Sequence, residues 1–149
     1  MSILRFTLFS LFLSVAGFAH AQDAPDYGGV PDKLIQKVGE KDFKGMFKVM
    51  FSAAKNEQKS DTEMLDGFSK QLEEQLEDAG DFLDADLYKE ERFGQRVSIL
   101  NYVVNYSSKP VGVTIKMYKT RIGWVALNVM VKSDFDKFLN EMRGLPASK

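Results

Sequence analysis

The spacing of hydrophobic positions changes along this chain. Up to about residue 80 they recur every three or four residues, the period of an amphipathic helix; from Arg96 onward they alternate, the period of a strand. Pro31 suits a first helical position, Leu34, Ile35 and Val38 share a face, and Gly39 can end the turn, which predicts a short first helix. Asp42 is a good N-cap for a second, with Phe43, Met46, Phe47, Met50, Phe51 and Ala54 forming one apolar stripe. Residues 55–60 are polar and read as a connection. Ser60-Asp61-Thr62-Glu63 is a capping box opening a third helix, with Met64, Leu65, Phe68, Leu72, Leu76 and Ala79 on its buried side and Gly80 at its end.

Three β-branched, aromatic-rich runs follow: Arg96–Tyr106, Val111–Tyr118 and Trp124–Val131, with Ser107-Ser108-Lys109-Pro110 and Lys119–Gly123 between them. They predict consecutive antiparallel strands. Residues 82–93 fit a first strand or a helix remnant; the Gly94-Gln95 pair, suited to a two-residue hairpin turn, favours the strand. Alternation puts Val111, Val113, Ile115 and Met117 on one face, and Val125, Leu127, Val129 and Val131 on the same face of the next strand. These form the expected core. The opposite face would carry Thr114, Lys116 and Tyr118, then Trp124, Ala126, Asn128 and Met130. The first of the three runs is apolar on both sides. A final helix is capped by Ser133, with Phe135, Phe138, Leu139 and Met142 as its stripe.

The start of the chain reads differently. Arg5, the apolar run Phe6–Phe18 and Ala19-His20-Ala21 have the layout of a secretory signal peptide cleaved near Ala21, and the run is too short to span a bilayer. Residues 22–30, with their Pro and Gly-Gly, form an expected flexible lead-in. Residues 31–149 then make one α+β domain: N-terminal helices packed on a three- to four-stranded antiparallel meander, with a C-terminal helix. The expected location is periplasmic or secreted, and no later run reaches membrane length.

The chain has no Cys, and its one His leaves with the leader. Disulfides, thiolate nucleophiles, imidazole bases and ordinary zinc sites are therefore excluded beyond residue 21. Stability must come from apolar burial. Asp81, Asp84 and Asp86 do not form a calcium loop, because Tyr88 takes the next ligand place and no Gly follows in register. No Gly-rich phosphate loop is present, and no cofactor or metal is expected. Ser52-Ala53-Ala54-Lys55 resembles the Ser-x-x-Lys arrangement of penicillin-binding enzymes, but their other two motifs are missing, and the pattern is attributed to chance.

Charge is uneven. Residues 22–91 hold 18 acids and 9 bases, and residues 92–149 hold 3 acids and 10 bases. In the plainer reading an acidic helical half complements a basic sheet half. In the sharper one the basic half meets an anionic partner. Overall charge near zero argues against nucleic acid. Acids Glu73, Glu74, Glu77 and Asp78 end the third helix against its dipole and call for a basic neighbour.

Helices followed by strand, Ser-Lys-Pro turn, strand, Tyr118-Lys119 and Gly123-Trp124 over about residues 42–131 resemble the NTF2-like and cystatin-like α+β folds of small exported bacterial domains. For cystatins the resemblance implies a Gln-x-Val-x-Gly inhibitory hairpin. Here Gln95-Arg96-Val97-Ser98-Ile99 has Ile where Gly is required. For isomerase-type relatives it implies a Tyr donor and an Asp base. Tyr102, Tyr106 and Tyr118 are the available donors, and no Asp lies on the three clear strands.

The reading that results is a non-enzymatic exported module. It would hold a protein partner or a small apolar ligand on the sheet face bearing Lys116, Tyr118, Trp124, Asn128 and Met130. Homodimerisation through that face, or its cover by the terminal helix, are the other uses of such a surface. The alternative is a small acid–base enzyme pairing a Tyr with Asp84 or Asp86 in a helix-covered cavity.

Overall fold

The structure, a computed structural model, describes residues 25–52 and 62–144. The expected leader at 1–21, Ala54, Lys55 of the Ser-x-x-Lys pattern and the first two residues of the capping box lie outside the described residues. Three helices, α1 (Val30–Gly39), α2 (Phe43–Ser52) and α3 (Thr62–Gln75), precede four strands, and α4 (Phe135–Met142) follows them. The strands are β1 (Phe82–Phe93), β2 (Val97–Tyr106), β3 (Pro110–Lys119) and β4 (Trp124–Lys132), antiparallel in the order β1-β2-β3-β4. This is the α+β architecture the periodicity predicts, with residues 82–93 resolved as a strand. A three-residue connection, Gly94 to Arg96, joins β1 to β2, because Phe93 pairs with Val97; the expected two-residue turn is not used.

The core lies between α1, α2 and one face of the sheet, here called the inner face. Val111, Val113, Ile115 and Met117 are fully buried there beside Leu100 and Val104, under Leu34, Val38, Phe43 and Met46. Each such side chain withdrawn from water contributes roughly 1.5–3 kcal/mol, which is how a chain without disulfides holds together. α1 touches β1, β2 and β4, so it spans the sheet. A polar contact fixes its end, and a cap starts the next helix. The Tyr106 hydroxyl donates to the Val38 carbonyl at 2.5 Å, and the Asp42 carboxylate accepts from Gly45 N–H at 2.8 Å, starting α2 as the N-cap rule expects.

The lead-in is tied down at its end. A 3-10 turn at Tyr27–Gly29 buries the Tyr27 ring, which meets Trp124 edge-on with centroids 4.7 Å apart. α3 packs against α2, and only its lower end reaches the core. Leu76 and Ala79 are fully buried, but Met64 is 53% and Phe68 51% exposed, so the expected buried side is corrected for its upper turns. α2 likewise leaves Phe51 exposed. The acids after α3 do find a basic neighbour: Asp78 is ion-paired to Lys109 from the β2–β3 turn.

β4 departs from strict alternation. Its pairing with β3 slips by one residue between Lys116 and Met117, so that Asn128 faces Lys116 while Ala126 faces Met117. Leu127 is the extra residue of a bulge. Up to the bulge, Trp124 and Ala126 share the inner face, and Val125 lies on the outer one; beyond it Val129 and Val131 are inner. Leu127, expected in the core, is 52% exposed, and Ala126, expected opposite, is buried.

α4 sits on the outer face at one end. Asp134, rather than Ser133, is its N-cap, accepting from Lys137 N–H at 3.0 Å. Phe138 is fully buried against Gly112, where any Cβ would fall inside the ring's contact distance. Lys132 ion-pairs with Glu141 and ties the helix to the edge of β4. No helix among the described residues is long and apolar enough to cross a membrane.

Candidate functional site

Four of the five residues expected to share a surface do so. Lys116 and Asn128 are direct cross-strand partners, Met130 pairs with Thr114, and Tyr118 pairs with Val125. All lie on the outer face. Trp124 does not: the bulge turns it inward, where it packs on Tyr27 and the core. Its place beside Tyr118 is taken by Val125. The rest of this surface comes from β2 and the end of β1. Val97 pairs with both Tyr118 and Phe93, and Ile99 with both Lys116 and Glu91. Phe93 is 54% and Met130 43% exposed. The first of the three predicted runs is apolar on both sides, and Val97, Ile99 and Val103 belong to the outer one with Asn101 and Asn105, which is the signal for this part of the surface. The Val125 position was hidden by the bulge.

Toward α4 the same face changes character. Asn101 and Thr114 are buried and hydrogen-bonded to each other at 2.8 Å, and the Asn101 amide nitrogen has no partner. The outer face therefore divides into an end roofed by α4 around Gly112 and an open end around Tyr118, Ile99, Val97 and Phe93.

The phenols and acids of the enzyme alternative are not brought together. Tyr102 and Tyr106 lie on the inner face, and burial pushes both hydroxyls up to about 12. Asp84 and Asp86 lie on the outer face of the edge strand, Asp84 accepting from the Asn105 amide at 2.6 Å. Tyr118 shares that face, but its row pairs with Val97 while Asp84 pairs with Asn105. At about 3.3 Å per residue the two rows are roughly 26 Å apart.

A different phenol–carboxylate pair does form. The Tyr27 hydroxyl donates to Glu90 Oε1 at 2.6 Å, and Arg92 Nε donates to the same oxygen at 2.5 Å. Burial pushes the Glu90 carboxyl up, but the Tyr27 and Arg92 hydrogen bonds outweigh it, and the group sits below the usual carboxylate range. Burial, and then the Glu90 bond, push the Tyr27 hydroxyl above its ordinary value. A carboxylate kept ionised beside a phenol kept protonated is a clamp joining the N-terminal turn to β1, the opposite of a base poised near neutrality.

Two concavities adjoin these features. One, of about 380 Å³, opens at the end of the sheet between Pro25, Arg92, Gln95, Ser98, Lys119 and Trp124. The other, of about 320 Å³, is an apolar groove between α2, α3 and β4, lined by Phe47, Phe68, Leu72, Val129 and Val131. No cluster of three or more acids or histidines with metal-holding geometry is found among the described residues. No protein-family model, curated protein or solved structure gives a significant match to the chain.

Proposed function

We propose that this chain is an exported binding module that engages a protein partner through the open end of the outer sheet face. One observation carries the reading. Lys116, Tyr118, Asn128 and Met130 form one surface with Val97, Ile99 and Val125, on the part of the sheet that α4 leaves uncovered. A partly apolar, aromatic-bearing surface with a polar border has the composition of a recognition patch. The groove at α2 and α3 is the second apolar surface, and a small apolar ligand there is the competing use. Helices followed by a strand meander also support the NTF2-like or cystatin-like relationship, and the leader supports export.

The test is capture by the exported protein with a photo-crosslinking residue at Tyr118 or Met130, compared with one at Gln36, an exposed position on α1. A crosslinked partner from the sheet positions alone is expected. Tyr118→Asp combined with Met130→Asp should remove it while thermal unfolding stays nearly unchanged. A partner that crosslinks equally from Gln36, or survives the double substitution, would overturn the reading. Trp124→Ala, which strikes the inner face, should lower stability rather than capture.

A further inference from the structure

The end of the sheet beyond this face carries a charge that the fold does not neutralise. From Arg92 to Ser133 the chain has seven Lys or Arg and no Asp or Glu. Arg92 is ion-paired to Glu90, Lys109 to Asp78 and Lys132 to Glu141. Among the described residues, Arg96, Lys116, Lys119 and Arg121 have no carboxylate within ion-pair distance. The ion pairs that form are thus at the other end of the sheet and at its edges.

Three of these four cations belong to one structural tip. In a four-stranded meander the β1–β2 and β3–β4 turns lie at the same end, and here they are bonded directly, Lys119 N–H to the Arg96 carbonyl at 2.8 Å. The β3–β4 turn is held by its own contacts. Thr120 N–H and the Thr120 hydroxyl both donate to the Gly123 carbonyl at 2.8 Å, and Ile122 N–H donates back to Thr120 Oγ1 at 3.2 Å. Gly123 takes φ of +145°, which favours glycine. The result is a fixed protrusion with Ile122 at its apex, 74% exposed, the highest value among the exposed large apolar residues, and with Phe93 exposed at the end of β1 beside the neighbouring turn. The tip thus sets an apolar apex among cations that have no carboxylate partner. It matches a surface that is negative outside and apolar just beneath.

We infer that this tip docks the protein on an anionic phospholipid bilayer, with Ile122 and Phe93 entering the headgroup layer and Arg96, Lys119 and Arg121 meeting lipid phosphates. Docking is peripheral. It would leave the concavity between Gln95, Ser98, Lys119 and Trp124 facing the headgroups. Each cation near such a surface contributes about fivefold in partitioning, so removing three costs roughly a hundredfold. The attraction weakens as salt shortens the Debye length, to about 8 Å at physiological ionic strength. This inference does not depend on the outer-face reading, since the partner surface centres on Tyr118 and the bilayer contact on Ile122, with Phe93 alone at their boundary.

The test uses a chain beginning at Gln22, which keeps every residue of the described core, with vesicles of phosphatidylglycerol and phosphatidylcholine or of phosphatidylcholine alone. Trp124 is the only Trp in the chain and flanks the tip, so its quenching by brominated lipid reports docking at this end. Binding is expected to anionic vesicles only and to fall with salt. The R96A/K119A/R121A variant should bind roughly a hundredfold more weakly. Ile122→Ser should weaken vesicle binding while leaving binding of inorganic polyphosphate, the soluble polyanion control, unchanged. All four positions are in turns or at a strand end, and unchanged thermal unfolding shows that the variants fold. Equal binding to both vesicle types, binding without Trp124 quenching, or polyphosphate binding with no vesicle binding would each overturn the inference.

Discussion

Replacing Phe138 by Ala, Gly112 by Ala, and both together tests where α4 lies. Phe138 is fully buried, and removing a buried Phe ring costs about 3–5 kcal/mol in lost transfer energy and residual cavity. A Cβ on Gly112 would have three ring carbons of Phe138 within 2.7 Å, against an ordinary carbon contact of about 3.5–4.0 Å. The ring must move, at an overpacking cost of about 1–3 kcal/mol. A smaller gain, about 0.5–1 kcal/mol, comes from replacing glycine within a strand. In the double variant the new methyl group enters space the ring has vacated, and the clash vanishes. Gly112→Ala should therefore be near neutral or stabilising once Phe138 is Ala, and the two changes should couple by roughly 1–3 kcal/mol. Urea unfolding of the four proteins, read at constant m-value, measures the cycle. Costs that add to within about 0.5 kcal/mol would place α4 away from Gly112. The helix would then be available to cover Tyr118 and Ile99, and the proposed binding surface would go with it.

Three further outcomes follow from particular contacts. Leu127→Asp, at the exposed bulge residue, should change stability by no more than about 0.5 kcal/mol, whereas Ala126→Asp buries a charge and should abolish cooperative unfolding; the reverse order would restore strict alternation in β4. The Lys37 ammonium and then the Gly45 N–H hold the Asp42 carboxyl below its ordinary value. Its contribution is present above the unfolded-state value near 3.9 and is lost as pH falls through the lower folded-state value, so the cost of Asp42→Ala, about 1 kcal/mol at pH 7, should shrink below about pH 4. Tyr102 and Tyr106 are raised to about 12, so the folded state holds their protons more tightly than the unfolded chain does. Stability should be intact below about pH 10 and decline from there toward about pH 12, with phenolate absorbance rising together with loss of tertiary signal; phenolate formation of all tyrosines near pH 10 without unfolding would contradict their burial.

Much of this architecture was legible because its signals are local. The Val111 to Met117 alternation, the Phe43 and Met46 stripe and the Asp42 cap each depend on a few neighbouring residues, and each appears as the pattern implies. The β4 bulge depends instead on which residue of β3 faces which residue of β4, a relation between distant segments. Once the pairing slips, every side chain on the near side changes face, and so Trp124 left the surface where alternation had placed it. The exposed upper turns of α3 have a similar cause. Met64 and Phe68 have helical spacing suited to burial, but burial needs a close neighbour, and Phe68 faces β4 only across an open groove. Tyr27 was hidden for the converse reason. A lone aromatic in a Gly- and Pro-rich stretch shows no periodicity, and its anchors, Glu90 and Trp124, lie more than sixty residues away.

The two sheet edges carry one more consequence of composition. β1 carries four acids and two bases from Asp84 to Arg92 and has two register slips, both of which discourage another strand from pairing with it. β4 from Trp124 to Val131 has no charged residue, and its single protection is the bulge at Leu127. A chain without Cys gains no covalent guard against edge pairing, so the bulge matters beyond its effect on which face Trp124 occupies. It bends the unguarded edge beside the apolar groove of Phe47 and Phe68. Deleting Leu127 would straighten β4, return its remaining residues to unbroken alternation and expose a flat apolar edge. Such a variant should aggregate on refolding at concentrations where the parent stays dispersed, measured by light scattering. Refolding as clean as the parent's would show that the bulge serves the placement of Trp124 and not the protection of the edge.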